Sequence, residues 1–416
     1  MKVFKFGGAS VKSAAAIRNM IEIIKSYKED SLVIVISAMG KSTNHLENIL
    51  NLAIAEKNFS KELEEFTLYH LNIINELEAQ PTLKSNVEIR INELRDHLNQ
   101  TKKPEYSKFY DQIVSYGELL STTIIHHCLI QSGIISTWID SRELIKTDNT
   151  FQDGKVDWKI TCTNINKHIQ ESTDSKFVTQ GFIGSTIAGE TTTLGREGSD
   201  YTAAIYASCL NAENVTIWKD VPGILNADPK IISDATLFSE LPYNEASEMT
   251  FYGAKVIHPK TIKPLANKNI PLHVRCFEAP KEKGTVIHNC KIDNMPPVII
   301  YKENQCLISF KEKDLSFVNE KGMSRILETL HELDWNIHIM QNSAISFSAC
   351  LDYNSIKMEK LIKMLKDEFT ILYNTGLQLV TLKNYSVESL EKYKPKGILL
   401  LEQISRNNYR VLVEKN

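Results

Sequence analysis

The chain has 416 residues, 42% of them hydrophobic and 24% charged, with a formal net charge of -3, which suits two or three globular domains. A pI near 6.4 and a mean hydropathy of -0.22 leave no basic footprint for nucleic acid, and no apolar run reaches membrane-spanning length. The opening MKVFKFGGAS reads as a strand instead of a signal peptide, and the seven cysteines are scattered, odd in number and without a CxxC pair. The expectation is a cytoplasmic protein with no membrane or nucleic-acid partner, reduced structural thiols, no metal site and no disulfide.

In chain order, Val3, Phe4 and Phe6 predict a short buried strand running into Gly7-Gly8. Ala14, Ile17, Ile21 and Ile24 recur at helical spacing behind a candidate cap at Ser10 or Ser13. The apolar run 32–36 is the mark of a strand buried on both faces of a parallel sheet. This βαβ unit puts Lys5, Gly7, Gly8 and Ser10 at one strand end and residues 37–40 at another, where such sheets bind ligands. KFGG is not a Walker A loop, because its lysine precedes the glycines. Residues 44–99 predict amphipathic helices, and residues 115–118 (SYGE) open another with Glu118 in its first turns. A strand is expected within 133–140.

Residues 176–210 hold the most information. A short apolar strand (Phe177, Val178) breaks at Gly181 and Gly184, a threonine-rich loop leads to Gly195-Arg196-Glu197-Gly198, and a helix carries Ala203, Ala204, Ala207 and Leu210 on one stripe. Ser199 is the natural N-cap there and Asp200 the natural first-turn acid. Strand, glycine turn and helix N-terminus with an arginine make an anion site; a well-capped structural connection fits the same pattern.

A strand over 215–218, a loop through 232, helices over 245–254 and from Pro259, and a strand over 271–277 complete the first part. Beyond 295–297 the units shrink. Strands are expected at 305–310, 336–341 and 344–351, with helices at 322–333 and 355–367. A hairpin-like pair (369–374, 376–382), a short helix near 386–393 and strands near 397–401 and 408–414 follow. The βαββα rhythm predicts a ferredoxin-like sheet domain and a second, abbreviated one. The fold class is α/β: a mostly parallel sheet sandwiched by helices over 1–294, then small ferredoxin-like units over 298–416.

Five motifs in one order, KFGGAS, SYGE, GFIG…GETTTLGREGSDYTA at 181–203, WKDVPGILNADPKII at 218–232 and FYGAKVIHP at 251–259, together resemble the aspartokinases of the amino-acid kinase family. The tail resembles that family's ACT domains. The resemblance implies phosphoryl transfer from ATP to the side-chain carboxylate of L-aspartate, first step towards lysine, threonine and methionine, with Mg²⁺ carried by the ATP phosphates. An ionised carboxylate needs no general base, so catalysis should be positioning plus charge stabilisation. The catalytic set implied is Lys5, Arg196 and Asp200, with Asp200 orienting Lys5. Arg196 would clamp an aspartate carboxylate and Glu118 pair with its ammonium, while Ser37, Phe182, Gly198 and Ser199 complete the amino-acid pocket. The nucleotide side would use Lys5, Gly7, Gly8 and Ser10, then Lys219, Asp220, Leu225 and Lys230, and finally Lys255.

Several positions depart from the family's usual residues: Ala9, Glu197, Lys219, Leu225 and Lys230. Glu197 puts a carboxylate beside an anion site and is expected to point to solvent. In the tail, the turn at 314–322 has a single late glycine where the family's effector sites usually have a glycine-rich turn, yet Asn342 and Ser343 still stand as effector-site candidates for lysine or threonine. An ACT pair kept only for homodimer or homotetramer assembly is equally open. A monofunctional kinase is expected, since the tail leaves no room for a fused homoserine dehydrogenase. The rivals are a kinase for glutamate or another related amino acid, and a catalytically inactive amino-acid sensor on the same fold.

Overall fold

The computed structural model describes residues 1–100, 105–254, 257–314 and 316–415. They form two compact units. The first is Met1–Ile224 with Leu237–Thr250 and Lys255–Ile292; the second is Leu225–Thr236 with Phe251–Ala254 and Asp293–Asn416. Leu225–Thr236 joins the second unit for a visible reason. Asn226 Nδ2 donates to Pro297 O at 2.9 Å and Ile299 N to Asn226 O at 2.8 Å, and Ala227 and Ile232 pack with Ile299, Val380 and Val411.

In the first unit β1 (Lys2–Phe6), α1 (Ala14–Lys25) and β2 (Leu32–Ile36) form the expected βαβ start. Ser13 caps α1 by accepting from Ala16 N, satisfying one of the free first-turn N–H groups. Helices Ser42–Ile54, Ser60–Glu76, Pro81–Leu98 and Tyr106–Val114 precede α2 (Tyr116–Gln131). Then come β3 (Thr137–Ile139), β4 (Lys176–Gln180), α3 (Gly198–Leu210) and β5 (Val215–Lys219). After them lie β6 (Glu240–Pro242), α4 (Pro259–Lys268), β7 (Leu272–Cys276) and β8 (Thr285–His288). The eight strands make one sheet in the order β3-β4-β2-β1-β5-β7-β8-β6. Every neighbouring pair is parallel except β7 with β8. All of β2 and β4 is buried; β2 is the continuous apolar run expected of a helix-covered parallel sheet, whereas β4 also buries Lys176, Thr179 and Gln180. A small second sheet joins Lys146–Thr147, Ile183–Thr186 and Thr191–Thr193.

Two sequence expectations are corrected here. The helix α3 starts two residues early, at Gly198, because Gly195 (φ +75°) and Glu197 (φ +53°) turn the chain through the left-handed region. Ser199 therefore lies inside the first turn, and Glu197 stands in the cap position. Cys162 and Cys209, read as free thiols, form a disulfide between helix Trp158–Gln170 and α3, with their Cα atoms 4.8 Å apart. Scattered positions in sequence gave no hint that these two helices lie side by side.

The second unit holds β9 (Val298–Glu312), α5 (Glu320–Glu332), β10 (Ile337–Asn342), β11 (Phe347–Asp352) and α6 (Ser355–Leu365). It continues with β12 (Phe369–Lys383), α7 (Val387–Tyr393), β13 (Ile398–Ile404) and β14 (Asn408–Glu414). Its sheet is antiparallel throughout, in the order β10-β11-β9-β12-β14-β13. The expected hairpin at 369–382 is one strand instead. Gly376, at φ +71°, sits in a bulge opposite Cys306, where the register of β9 and β12 shifts, so it kinks the strand without reversing it. The two 15-residue strands thereby serve both ferredoxin-like halves. Residues 305–312 of β9 pair with 369–377 and with β11, while 298–302 pair with 379–383, next to β14.

Candidate active site

Parallel pairing aligns the strand ends. Gln180, Ile36, Phe6 and Trp218 lie in one cross-strand row, so the residues just beyond them share the carboxyl rim of the sheet, where α/β folds bind ligands. The N-terminus of α2 reaches the same rim, because Ala38 N donates to Glu118 Oε1 at 3.1 Å. A cavity of about 520 Å³ opens there. Lys5, Gly8, Ser37, Glu118 and Phe182 line it, as do Arg196, Gly198, Ser199, Asp200 and Lys219. Segments 195 residues apart in sequence meet in the central ion pair.

That pair joins Lys5 Nζ to Asp200 Oδ1 at 2.6 Å, with Lys219 Nζ 3.6 Å from Asp200 Oδ2. Burial alone would raise the Asp200 carboxyl, but the two ammonium groups outweigh it and hold the pKa below the usual carboxylate value. Asp200 is thus an anion that fixes two cations at the cavity wall. Arg196 is exposed and makes no hydrogen bond or ion pair among the described residues. Glu118 is the opposite case. It is 3% exposed, its Oε2 finds no hydrogen-bond partner among the described residues, and burial pushes its carboxyl up to about 8 against the weaker pull of Ala38 N–H and Lys5. The wall therefore carries two lysines fixed by Asp200 and, besides them, a buried carboxyl with no ion pair among the described residues.

Two glycines let the backbones close on this cavity. A Cβ on Gly8 would stand 2.7 Å from Ala38 O and 2.8 Å from Gly40 O, and Gly40 N donates to Gly8 O at 3.0 Å. A Cβ on Gly198 would stand 2.6 Å from the Phe182 ring. Phe182 itself is held at φ +69°, a costly conformation for an aromatic residue, through Phe182 N donating to Thr202 Oγ1 at 2.9 Å. Glu197 does not point to solvent as expected. Its Oε2 accepts from His258 N at 3.0 Å, so the carboxylate meets the positive N-terminal end of α4.

The sequence missed Asp111. It is fully buried and accepts from Gln152 N (2.9 Å), Thr193 N (2.8 Å) and Thr193 Oγ1 (2.7 Å), anchoring the turn at Gln152 and the strand end at Thr193, both of which line the cavity. Within FYDQIV an aspartate reads as a solvated helix residue, and no sequence signal marks it. Among the other expected nucleotide-side residues, Ser10 is buried behind the rim with Oγ 3.4 Å from Trp218 O. Gly7 adjoins Lys5, its Cβ position 3.4 Å from Nζ, and Asp220 is exposed just past β5. None of these three lines the cavity. Leu225 and Lys230 belong to the second unit, and Lys255 lies outside the described residues.

Residues 1–276 match the family model described as the amino acid kinase family. The chain is 30% identical over 357 residues to lysine-sensitive aspartokinase 3 of Escherichia coli K12, covering 84% of this chain and 78% of that protein. It is an aspartokinase-family protein. Crystal structures of E. coli aspartokinase III support the same fold for the whole chain. The complex with aspartate and ADP (R-state) matches with a TM-score of 0.85, the complex with lysine and aspartate (T-state) with 0.81. Both are 26% identical and cover 99% of this chain and 96% of that one. Within this aspartokinase-family chain the effector candidates Asn342 and Ser343 lie at the tip of the β10–β11 hairpin. Ser343 N and Ser346 O close the tip at 2.8 Å. Asn342, Phe347 and Phe310 are cross-strand neighbours, which puts the tip at the end of the sheet where β9 turns towards α5. No helix of the described residues is long and apolar enough to cross a membrane.

Proposed function

We propose that this chain is a cytoplasmic aspartate kinase that transfers the γ-phosphoryl group of ATP to the side-chain carboxylate of L-aspartate. The observation that carries the reading is the division of the cavity wall. The unpartnered Glu118 Oε2 suits an ammonium group, and the uncommitted Arg196 suits a carboxylate clamp. The Lys5–Asp200–Lys219 cluster suits a polyphosphate. A zwitterionic dicarboxylate and a nucleotide triphosphate are what such a wall sorts.

In the proposed mechanism, Arg196 and Glu118 hold aspartate by opposite charges, with Ser37, Phe182, Gly198 and Ser199 shaping the pocket around it. The free side-chain carboxylate oxygen attacks the γ-phosphorus; the new O–P bond forms as the β–γ bridging P–O bond breaks, and ADP leaves. No proton is transferred. Lys5 and Lys219, fixed by Asp200, neutralise charge on the transferring group and the leaving diphosphate, an arrangement most effective where water is excluded. Gly8 admits backbone N–H groups close to the phosphates. The cavity-lining carboxylates are already spoken for: Asp200 by lysines, Glu197 by His258 N and Glu118 by its amino-acid role. Mg²⁺ therefore fits best as an ion carried on the ATP phosphates, where it offsets their charge. On the second unit, lysine is the proposed feedback ligand, near Asn342 and Ser343, and edge pairing of its sheet is the proposed route to a homodimer or homotetramer.

The test is ADP release with Mg-ATP and L-aspartate, repeated with L-glutamate. Turnover on aspartate, much slower on glutamate, is the expected result. Turnover on glutamate alone would reassign the substrate, and no turnover on either acid despite nucleotide or lysine binding would favour the sensor reading.

A further inference from the structure

We propose that Glu240, His288 and Cys290 form a binding site for a zinc-like divalent transition-metal ion that ties the edge strand β6 to β8. The three ligand atoms all lie within 4.8 Å of one another. His288 Nε2 is 3.1 Å from Glu240 Oε2, and Cys290 N donates to His288 O at 3.1 Å, folding the chain back just beyond β8 so that the thiol returns to the imidazole.

Register explains the convergence. Glu240 stands opposite Val286, and Pro242 opposite His288. Side chains alternate along a strand, so Glu240, Val286 and His288 share one face. A tetrahedral zinc with ligands at roughly 2.0–2.3 Å sets its donors roughly 3.3–3.8 Å apart, within a small side-chain rotation of the present positions. Glu240 is exposed and its two companions half-buried, leaving room for water as a fourth ligand. A thiolate, an imidazole and one carboxylate favour zinc or cobalt over magnesium or calcium, which take oxygen ligands. The signal was hidden in sequence because a His-x-Cys pair joins a glutamate 48 residues away, a pattern without the CxxC spacing of familiar zinc sites.

Place in the sheet says what the ion does. Strand β8 runs antiparallel to β7, and Ile287 pairs with Leu272 at the start of β7, so His288 lies at the amino end of the parallel strands. The cavity lies at their carboxyl end. This metal is therefore structural. Strand β6 is three residues long and outermost in the sheet, held on one side only, and an ion binding the folded state alone would secure it by mass action.

The test is Co²⁺ titration of the full-length protein, followed by its thiolate-to-cobalt charge-transfer band. One cobalt per chain is expected, displaced by Zn²⁺, with the band lost in Cys290→Ser and kept in Cys276→Ser, whose thiol is also half-buried. His288→Ala should weaken binding by at least ~10-fold, the scale on which even a supporting partner of a metal ligand counts. Zinc should raise the wild-type melting temperature, and a chelator should reverse the rise. A band that survives Cys290→Ser, or no saturable cobalt binding, would overturn the proposal.

Discussion

Glu118 meets the substrate's charge with a carboxyl that burial holds near a pKa of about 8. In the empty site at pH 7 it is mostly protonated, yet pairing with an ammonium requires the carboxylate. Ionising it costs about 1.4 kcal/mol per pH unit below that pKa. Aspartate binding should therefore release a proton, and aspartate affinity should rise about tenfold per unit up to about pH 8, then level. In Glu118→Gln the slope should vanish and binding at pH 8 should weaken. An unchanged slope, measured as KM for aspartate against pH, would remove Glu118 from the ammonium site. Lys5 and Arg196 divide differently. Lys5→Ala should lower kcat by about 10²–10³-fold, the usual loss for one charge-stabilising donor. Arg196→Ala should chiefly raise the aspartate KM, by roughly 10- to 150-fold for charge-assisted hydrogen bonds of about 1.5–3 kcal/mol. Equal effects of both variants on kcat and KM would refute that division of labour.

At the scale of elements, the cavity exists because parallel strands end in register and glycine lets the next backbone come close. Gly8→Ala tests this without touching any charge. A methyl 2.7 Å from Ala38 O and 2.8 Å from Gly40 O meets only backbone, which cannot swing aside as a flexible side chain would, so the turn after β1 must shift away from the segment that follows β2. A displacement of about 1 Å at the phosphates costs on the order of 10²-fold, so kcat/KM for ATP should fall by about that much while the far-ultraviolet circular dichroism holds. Full activity in Gly8→Ala would show that the nucleotide does not approach this turn. Such elements were legible in the sequence because their signals are local: the unbroken apolar run of β2, the Phe177-Val178 pair of β4, the capped start of α1, and the glycines that end β1 and β4. What stayed hidden depended on distant partners. Asp111 looks like a surface helix residue until the Gln152 turn and the strand end at Thr193 close over it. The start of α3 moved to Gly198 because a left-handed Glu197 finds a partner at His258 N, 61 residues on. The Cys162–Cys209 pair required two helices to be neighbours, and Gly376 looked like a turn because its bulge depends on the opposing register of β9.

At the scale of the whole molecule, a feedback ligand on the second unit can change the kinase only if its affinity differs between states of the protein that also differ in aspartate affinity. Such coupling is reciprocal. If lysine raises the apparent dissociation constant of aspartate by some factor, typically about 5–150-fold, aspartate must raise that of lysine by the same factor. Calorimetric titration of lysine, with and without saturating aspartate, measures one side; ADP release at varied lysine measures the other. The expected result is inhibition by lysine, relieved competitively by aspartate, with the two factors equal. The hairpin tip supplies a local handle. Asn342 ends β10 exposed, with its amide uncommitted among the described residues, whereas Ser343 is already engaged with Ser346. Asn342→Ala should therefore raise the half-inhibiting lysine concentration by about tenfold, one good hydrogen bond's worth; Ser343→Ala should act mainly through the turn, with a smaller effect. Inhibition by threonine in place of lysine would change the ligand and keep the coupling. Insensitivity to both amino acids would mean that the ferredoxin-like pair serves assembly alone, as the sparse glycine in its first turn also allows.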